Sequence, residues 1–216
     1  MTDTPSDAVL SEFIDACRQI GRSGLVRCSS GNLSRRLDGG RMLATASRSW
    51  LENMTADDVS VCRIADGALL SGRKPTVEIA FHAAILRGRP DVNVVLHFQT
   101  PCATTLACQD TADVDFFVIP EIPFYIGPVA RVPYLLPGSA ELAAAVAAAL
   151  QDHDLAVLDN HGQVTVAADY AHAIQNAEFF ELACGVIVRG QGRTRPLSAA
   201  EAEALLALRH ATARSV

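Results

Sequence analysis

Val92-Asn93-Val94-Val95-Leu96-His97-Phe98-Gln99 is the stretch from which the fold can be read. Apolar residues lead into His97, and a short run of this kind predicts a buried β-strand that ends at a polar site. In extended backbone, residues i and i+2 project from the same face, so His97 and Gln99 are expected to point at one bound object. A divalent metal suits that object. Two further pieces are expected to converge on it: Glu78, at the head of a helix, and His161, in Asp159-Asn160-His161-Gly162. Imidazole and carboxylate are ligands that zinc and similar ions prefer. Both histidines stand where a strand runs out into a turn, and a helix N-terminus favours the anionic form of a carboxylate. Spacing alone leaves the bland alternative open, a hydrogen-bonded structural histidine at a strand end. His82, on the apolar face of the Glu78 helix, takes that structural reading. His153, His172 and His210 read as surface residues.

On the N-terminal side, Ser6 caps a helix whose Leu10, Phe13, Ile14, Cys17 and Ile20 fall at helical spacing, with Gly24 suited to its end. The small-residue loop Ser29-Ser30-Gly31-Asn32-Leu33-Ser34 follows. Gly39-Gly40 predicts a hairpin turn between strands 33–38 and 41–46, and Thr55 opens a short helix or turn. Ala65-Asp66-Gly67 predicts a second hairpin, between 59–64 and 68–70. Pro75-Thr76 opens a helix that Gly88 and Pro90 close. On the C-terminal side, Pro101 starts a small-residue helix to about Cys108. Residues 113–136 read as strand-like pieces broken by four prolines, which suits edge strands and loops. Ser139 caps an alanine-rich helix to Leu150, strands 155–158 and 164–167 flank the His161-Gly162 turn, and Asp169 caps a helix to about Val188. Ser198 and Glu201 have capping-box spacing and begin the last helix. Interleaved helices and hairpins give a mixed α/β sheet covered by helices.

The 216 residues suffice for a full core, and one domain over 1–216 is expected. Eighteen basic against 24 acidic residues leave a net charge of −6, which argues against a nucleic-acid partner. The N-terminus carries no signal-peptide pattern and no apolar run approaches a membrane span, so a cytoplasmic location with no membrane partner is expected. The six scattered cysteines, without a CxxC pair, read as buried free thiols.

Four motifs, taken in order, carry a resemblance: Ser30-Gly31-Asn32-Leu33-Ser34, Lys74-Pro75-Thr76-Val77-Glu78, Val95-Leu96-His97-Phe98-Gln99-Thr100-Pro101 and Asn160-His161-Gly162. Their order and separation resemble the class II aldolase/adducin family over nearly the whole chain. The resemblance implies a three-layer α/β/α domain around a mixed, mostly antiparallel sheet, and a homotetramer with active sites between subunits. It also implies a divalent metal, zinc or a similar ion, held by three histidines beside a glutamate acid/base. By motif, His97 and His161 take two ligand positions, Gln99 falls where the third histidine belongs, and Glu78 takes the place of the catalytic glutamate. A glutamine oxygen is a neutral, harder and weaker ligand than imidazole. Gln99 therefore leaves three outcomes open: a weakened zinc site, a shift toward manganese or magnesium, or no metal.

For a phosphorylated substrate the resemblance places Asn32, Ser47 and Thr76 in the small-residue cradle. The usual threonine/serine-glycine pair is Ser47-Arg48 here, and the usual serine before the glutamate is Val77. Arg48 either grips phosphate or carboxylate in a bidentate manner or is a solvated surface residue. The implied activity is an aldolase, a metal-dependent lyase that cleaves a small hydroxylated ketone, a ketose 1-phosphate above all. It would act through a metal-stabilised enediolate, with Glu78 moving the proton. Tyr125 or Tyr134 is the candidate acid on the aldehyde side. Epimerases, dehydratases and decarboxylases of the family share that core. A non-catalytic, adducin-like interaction domain is the rival from another class; the missing third histidine favours it. Glu78, His97, His161 and Asn32 oppose it, as does the expected lack of a tail beyond the domain.

Overall fold

The computed structural model describes residues 5–109 and 114–213. Its centre is an eight-stranded sheet in the order β4-β3-β2-β1-β5-β8-β7-β6. The strands are β1 (Asn32–Arg36), β2 (Arg41–Thr45), β3 (Val59–Arg63), β4 (Leu69–Gly72), β5 (Val94–Phe98), β6 (Ala130–Val132), β7 (Leu155–Leu158) and β8 (Gly162–Ala167). Every neighbouring pair is antiparallel except β6 and β7. The helices are α1 (Asp7–Arg22), α2 (Ile79–Gly88), α3 (Pro101–Ala107), α4 (Ala140–Ala149), α5 (Tyr170–Gly190) and α6 (Ala199–Ala213). The expected mixed, mostly antiparallel sheet with helical cover is the observed architecture.

Strand alternation divides the core into two layers. On one face Leu33, Leu43, Val94, Leu96, Phe98, Leu155 and Val157 pack with α1, α3 and α5. On the other, Met42, Val95, Ala156, Leu158, Val164 and Val166 pack with α2 and α4. Full burial of each large apolar side chain contributes roughly 1.5–3 kcal/mol. β5 lies between β1 and β8, so all five of its residues are buried, and this is why its sequence is a nearly unbroken apolar run.

The caps follow the sequence. Ser6, Ser139 and Asp169 accept backbone N–H bonds at the starts of α1, α4 and α5, and Ser198 with Glu201 forms the capping box of α6. α3 begins directly after β5, and its Cys102 and Ala103 amides donate to the two oxygens of Glu181 on α5, at 2.9 Å each. The Arg36 guanidinium on β1 caps the last turn of α2 by donating to the carbonyls of Leu86, Arg89 and Val92.

Three expectations need correction. α2 starts at Ile79 rather than at Pro75-Thr76, because 75 and 76 are drawn onto the sheet: the Thr76 amide donates to the Thr45 carbonyl, and Pro75 bridges Ala46. Within 114–136 the strand-like pieces reduce to the three-residue β6, and Ile122–Ile126 forms a single wide helical turn. Phe116, Phe117, Val118 and Ile119 instead pack as irregular backbone against the core; residue 113 lies outside the described residues. All six cysteines are free, but Cys28 and Cys108 are exposed.

Candidate active site

The polar end of the α2-facing side of the sheet gathers the predicted groups. Asn32 on β1 pairs across the ladder with His97 on β5, so both side chains leave the same face at the same level. α2 covers them, and Glu78 stands at its N-cap position just ahead of Ile79 without bonding the helix backbone through its side chain. His161 enters from the turn between β7 and β8, after Asn160, whose φ of 53° lies in the left-handed region that asparagine tolerates.

Among the described residues, Glu78, His97 and His161 form the group of acidic, thiol and imidazole side chains able to share one ion, their ligand atoms all within 4.8 Å. His161 Nε2 lies 3.3 Å from Glu78 Oε1, and His97 Nε2 lies 3.5 Å from Glu78 Oε2. Ligands on a tetrahedral ion with bonds of about 2.0–2.1 Å stand roughly 3.4 Å apart, so these separations suit one cation. The His97 Nδ1–H donates to the Gln163 carbonyl at 2.9 Å. That sets Nδ1 as the donor and turns Nε2 toward Glu78, the support that metal-bound histidines receive from a carbonyl. Glu78 Oε1 is buried without a hydrogen-bond partner. A divalent cation fits this donor set.

Electrostatics agree. Burial pushes the Glu78 carboxyl up, but the His97 imidazole, the Asn32 N–H and His161 outweigh it and hold it below the usual carboxylate value. Burial, reinforced by His97 and opposed by Glu78, pushes His161 down to about 4, so its ring is neutral near pH 7.

Gln99 sits differently from a third imidazole. Its amide nitrogen donates to the backbone carbonyl of His161 at 2.9 Å, and Gln99 and His161 both line two cavities, of about 270 and 780 Å³. The smaller cavity holds Glu78, His97 and His161 together with Ser29, Asn32, Ser47, Arg48 and Thr76. The expected metal, catalytic-glutamate and substrate-cradle residues, Gln99 included, thus line one cavity. Thr76 Oγ1 also accepts from the Glu78 amide at 3.3 Å and helps set the start of α2. Arg48 is exposed and holds a φ of 63°. The loop keeps a glycine-like backbone there although an arginine occupies the position. Neither tyrosine expected at the site lines the cavity: Tyr125 packs on Phe124 and Phe179, and Tyr134 is exposed.

Gly162 has no room for a side chain, since an added Cβ would lie 2.7 Å from the Phe98 carbonyl oxygen and 3.1 Å from His97 Cε1. Gly162→Ala is expected to destabilise the protein by about 1–3 kcal/mol and to weaken metal binding roughly tenfold or more. Denaturant midpoints and metal titration measure both, and unchanged metal affinity would show that β5 and β8 have slack at this point.

Sequence reasoning missed Ser34, whose hydroxyl contacts His82. Its position two residues from Asn32 on the same strand was the available signal, as was the i, i+4 spacing of Glu78 and His82 on one helix face.

Comparison with known proteins agrees with this geometry. A model of the Class II Aldolase and Adducin N-terminal domain matches residues 11–188. The chain is 32% identical over 182 residues to a 3-oxo-tetronate 4-phosphate decarboxylase of Haemophilus influenzae, covering 81% of this chain and 86% of that protein. It is 31% identical over 172 residues to an L-fuculose phosphate aldolase of Methanococcus maripaludis, covering 80% and 92%. The crystal structure of YgbL from Escherichia coli superposes with a TM-score of 0.87 at 30% identity, covering 92% of this chain and 98% of YgbL.

Proposed function

The chain belongs to the class II aldolase and adducin family, and from that premise we propose that it decarboxylates a small phosphorylated 3-oxo acid of the 3-oxo-tetronate 4-phosphate kind. The observation that carries this reading is the similarity over 81% of the chain to a 3-oxo-tetronate 4-phosphate decarboxylase. This chain's share of the cavity wall, in which Glu78 is the one carboxylate among the described residues, suits it. Aldol cleavage needs a base to deprotonate the departing hydroxyl and a proton for the carbanion carbon, whereas loss of CO2 from a 3-oxo acid needs only an electron sink and one proton.

In that reaction the bond between the carboxylate carbon and C2 breaks, its electron pair moves into the C3 ketone, CO2 leaves, and C2 takes a proton. A divalent cation, zinc first and manganese or magnesium as alternatives, supplies Lewis-acid stabilisation of the developing oxyanion charge when bound. His97, His161 and Glu78 are the residues that would hold it, with the Gln99 oxygen a further candidate. Glu78, ionised at rest, takes a proton from solvent and delivers it to C2. Asn32, Ser47 and Thr76 orient the phosphate, and the Arg48 guanidinium, which makes no ion pair with the described residues, closes on it or on the substrate carboxylate.

Similarity to a fuculose phosphate aldolase supports a second reading, aldol cleavage of a ketose 1-phosphate. The retained Glu78, His97 and His161 count against a non-catalytic adducin-like domain. The test supplies metal-loaded protein with phosphorylated 3-oxo acids and, separately, with ketose 1-phosphates. CO2 release from the first set is the expected result; aldehyde release from the second alone would replace decarboxylation with aldol cleavage.

We place the enzyme in the cytoplasm as a single domain and a homotetramer. Among the described residues no helix is long and apolar enough to cross a membrane. Exposed Val77, Tyr134 and Leu136 are apolar surface available for subunit contact. Light scattering tests the assembly, and a monomer at micromolar concentration would overturn it.

A further inference from the structure

Four buried polar side chains form one hydrogen-bonded file behind the cavity. Ser34 Oγ lies 2.7 Å from His82 Nδ1, His82 Nε2 lies 2.5 Å from Asn32 Oδ1, and Asn32 Nδ2 lies 2.9 Å from Glu78 Oε2. Ser34 and His82 are fully buried, and Asn32 and Glu78 nearly so. The direction of each bond follows from the last one. An ionised carboxylate only accepts, so Asn32 must present its N–H to Glu78. Its oxygen then faces His82, which must carry its proton on Nε2. That leaves Nδ1 as an acceptor, and the Ser34 hydroxyl must donate to it. The opposite polarity would set the Asn32 oxygen against the Glu78 carboxylate, two acceptors in contact with no proton between them.

We propose that Ser34 and His82 are positioning residues that fix the Asn32 amide with its nitrogen toward Glu78, immobilising Oε2 and leaving Oε1 as the working oxygen. The proposal rests on the reading of Glu78 as the proton carrier. An asparagine amide is nearly symmetric in shape, and only its partners decide which end points forward. Here one partner is the working carboxylate and the other is His82, whose tautomer Ser34 sets. Burial pushes His82 down to about 3, in keeping with a neutral ring that can serve as donor on one side and acceptor on the other. Phe81 stacks on that ring at 4.6 Å and limits its rotation. A Glu78 released from Asn32 keeps its place on α2 but loses its rotamer, and misplacement of about 1 Å costs on the order of a hundredfold in rate.

Two measurements on the full chain test this. In the first, nitrogen-15 NMR of the imidazoles at pH 7 is expected to show His82 neutral with its proton on Nε2 in the wild type, and a mixture of tautomers in Ser34→Ala. A wild-type proton on Nδ1, or a doubly protonated ring, overturns the proposal without reference to any activity. In the second, metal-loaded His82→Leu is expected to lose roughly 10- to 100-fold in kcat. KM should stay within about threefold and metal content should be unchanged, and His82→Gln, which keeps a donor and an acceptor, should recover most of the loss. If His82→Leu does not fold, Ser34→Ala carries the kinetic arm, with a loss of about tenfold. A folded His82→Leu with wild-type kcat, or a His82→Gln as impaired as His82→Leu, overturns the positioning role. Wild-type protein inactive on every substrate would remove the proposed reaction, and the tautomer result would then decide the inference.

Discussion

His97→Ala protein is expected to leave purification with less than about a tenth of an equivalent of divalent metal, where the wild type, purified without added metal or chelator, carries close to one. The reason lies in how the ring is held. Its Nδ1–H is committed to the Gln163 carbonyl, the residue sits on a fully buried strand, and its Nε2 has no other direction in which to point than toward Glu78 and His161. Alanine removes one of the two imidazoles and leaves Glu78 with a single neutral ring beside it. Losing the electron sink removes several kcal/mol of transition-state stabilisation, so turnover should fall by on the order of a thousandfold or more. Metal content by elemental analysis is the measurement. Wild-type protein that holds no metal and binds none on titration would remove the Lewis-acid chemistry and bring the interaction-domain reading forward.

How much of this could be read from the chain follows from which forces are local. β5 was legible because it lies mid-sheet and is buried on both faces, which forces an apolar run onto its sequence. The two hairpins were legible because glycine marks their turns, and most helix starts because Ser6, Ser139, Asp169 and Ser198 act within three residues of themselves. The start of α2 was misplaced because the backbone of Pro75-Thr76 is captured by β2, about thirty residues away in sequence. The segment after α3 misled for a similar reason. Val118, Ile119 and Ile122 have strand-forming side chains, but they are held by contacts with other elements and not by a ladder. At the site, the convergence of Glu78, His97, Gln99, His161 and Asn32 on one cavity was legible through motifs. The hydrogen bonds that join Ser34, His82 and Asn32 were not, since periodicity says which face a residue occupies but not which polar groups meet there.

Glu78→Gln separates the two roles that the geometry gives one carboxylate. It conserves size and burial, and an amide oxygen can still accept the Asn32 N–H, so the file behind the site survives. It removes the negative charge and the capacity to carry a proton. If Glu78 delivers the proton to C2, kcat should fall by roughly 10²–10⁴-fold, while KM changes little because the phosphate cradle is intact. Metal affinity should weaken but persist, since His97 and His161 remain and an amide oxygen is a poor but real ligand. Stability is expected to fall as well. The surroundings outweigh burial and hold the Glu78 carboxyl below its usual value, so the fold favours the ionised form near pH 7, and in metal-free protein the neutral amide should lower the melting temperature. Loss of turnover with metal retained and folding preserved would identify Glu78 as the proton carrier. Turnover within tenfold of wild type would reduce it to a ligand, and the proton would then have to come from water held in the cavity. Loss of metal together with turnover would make Glu78 chiefly a holder of the cation, with Glu78→Asp, which keeps the charge on a shorter arm, expected to restore binding before it restores rate.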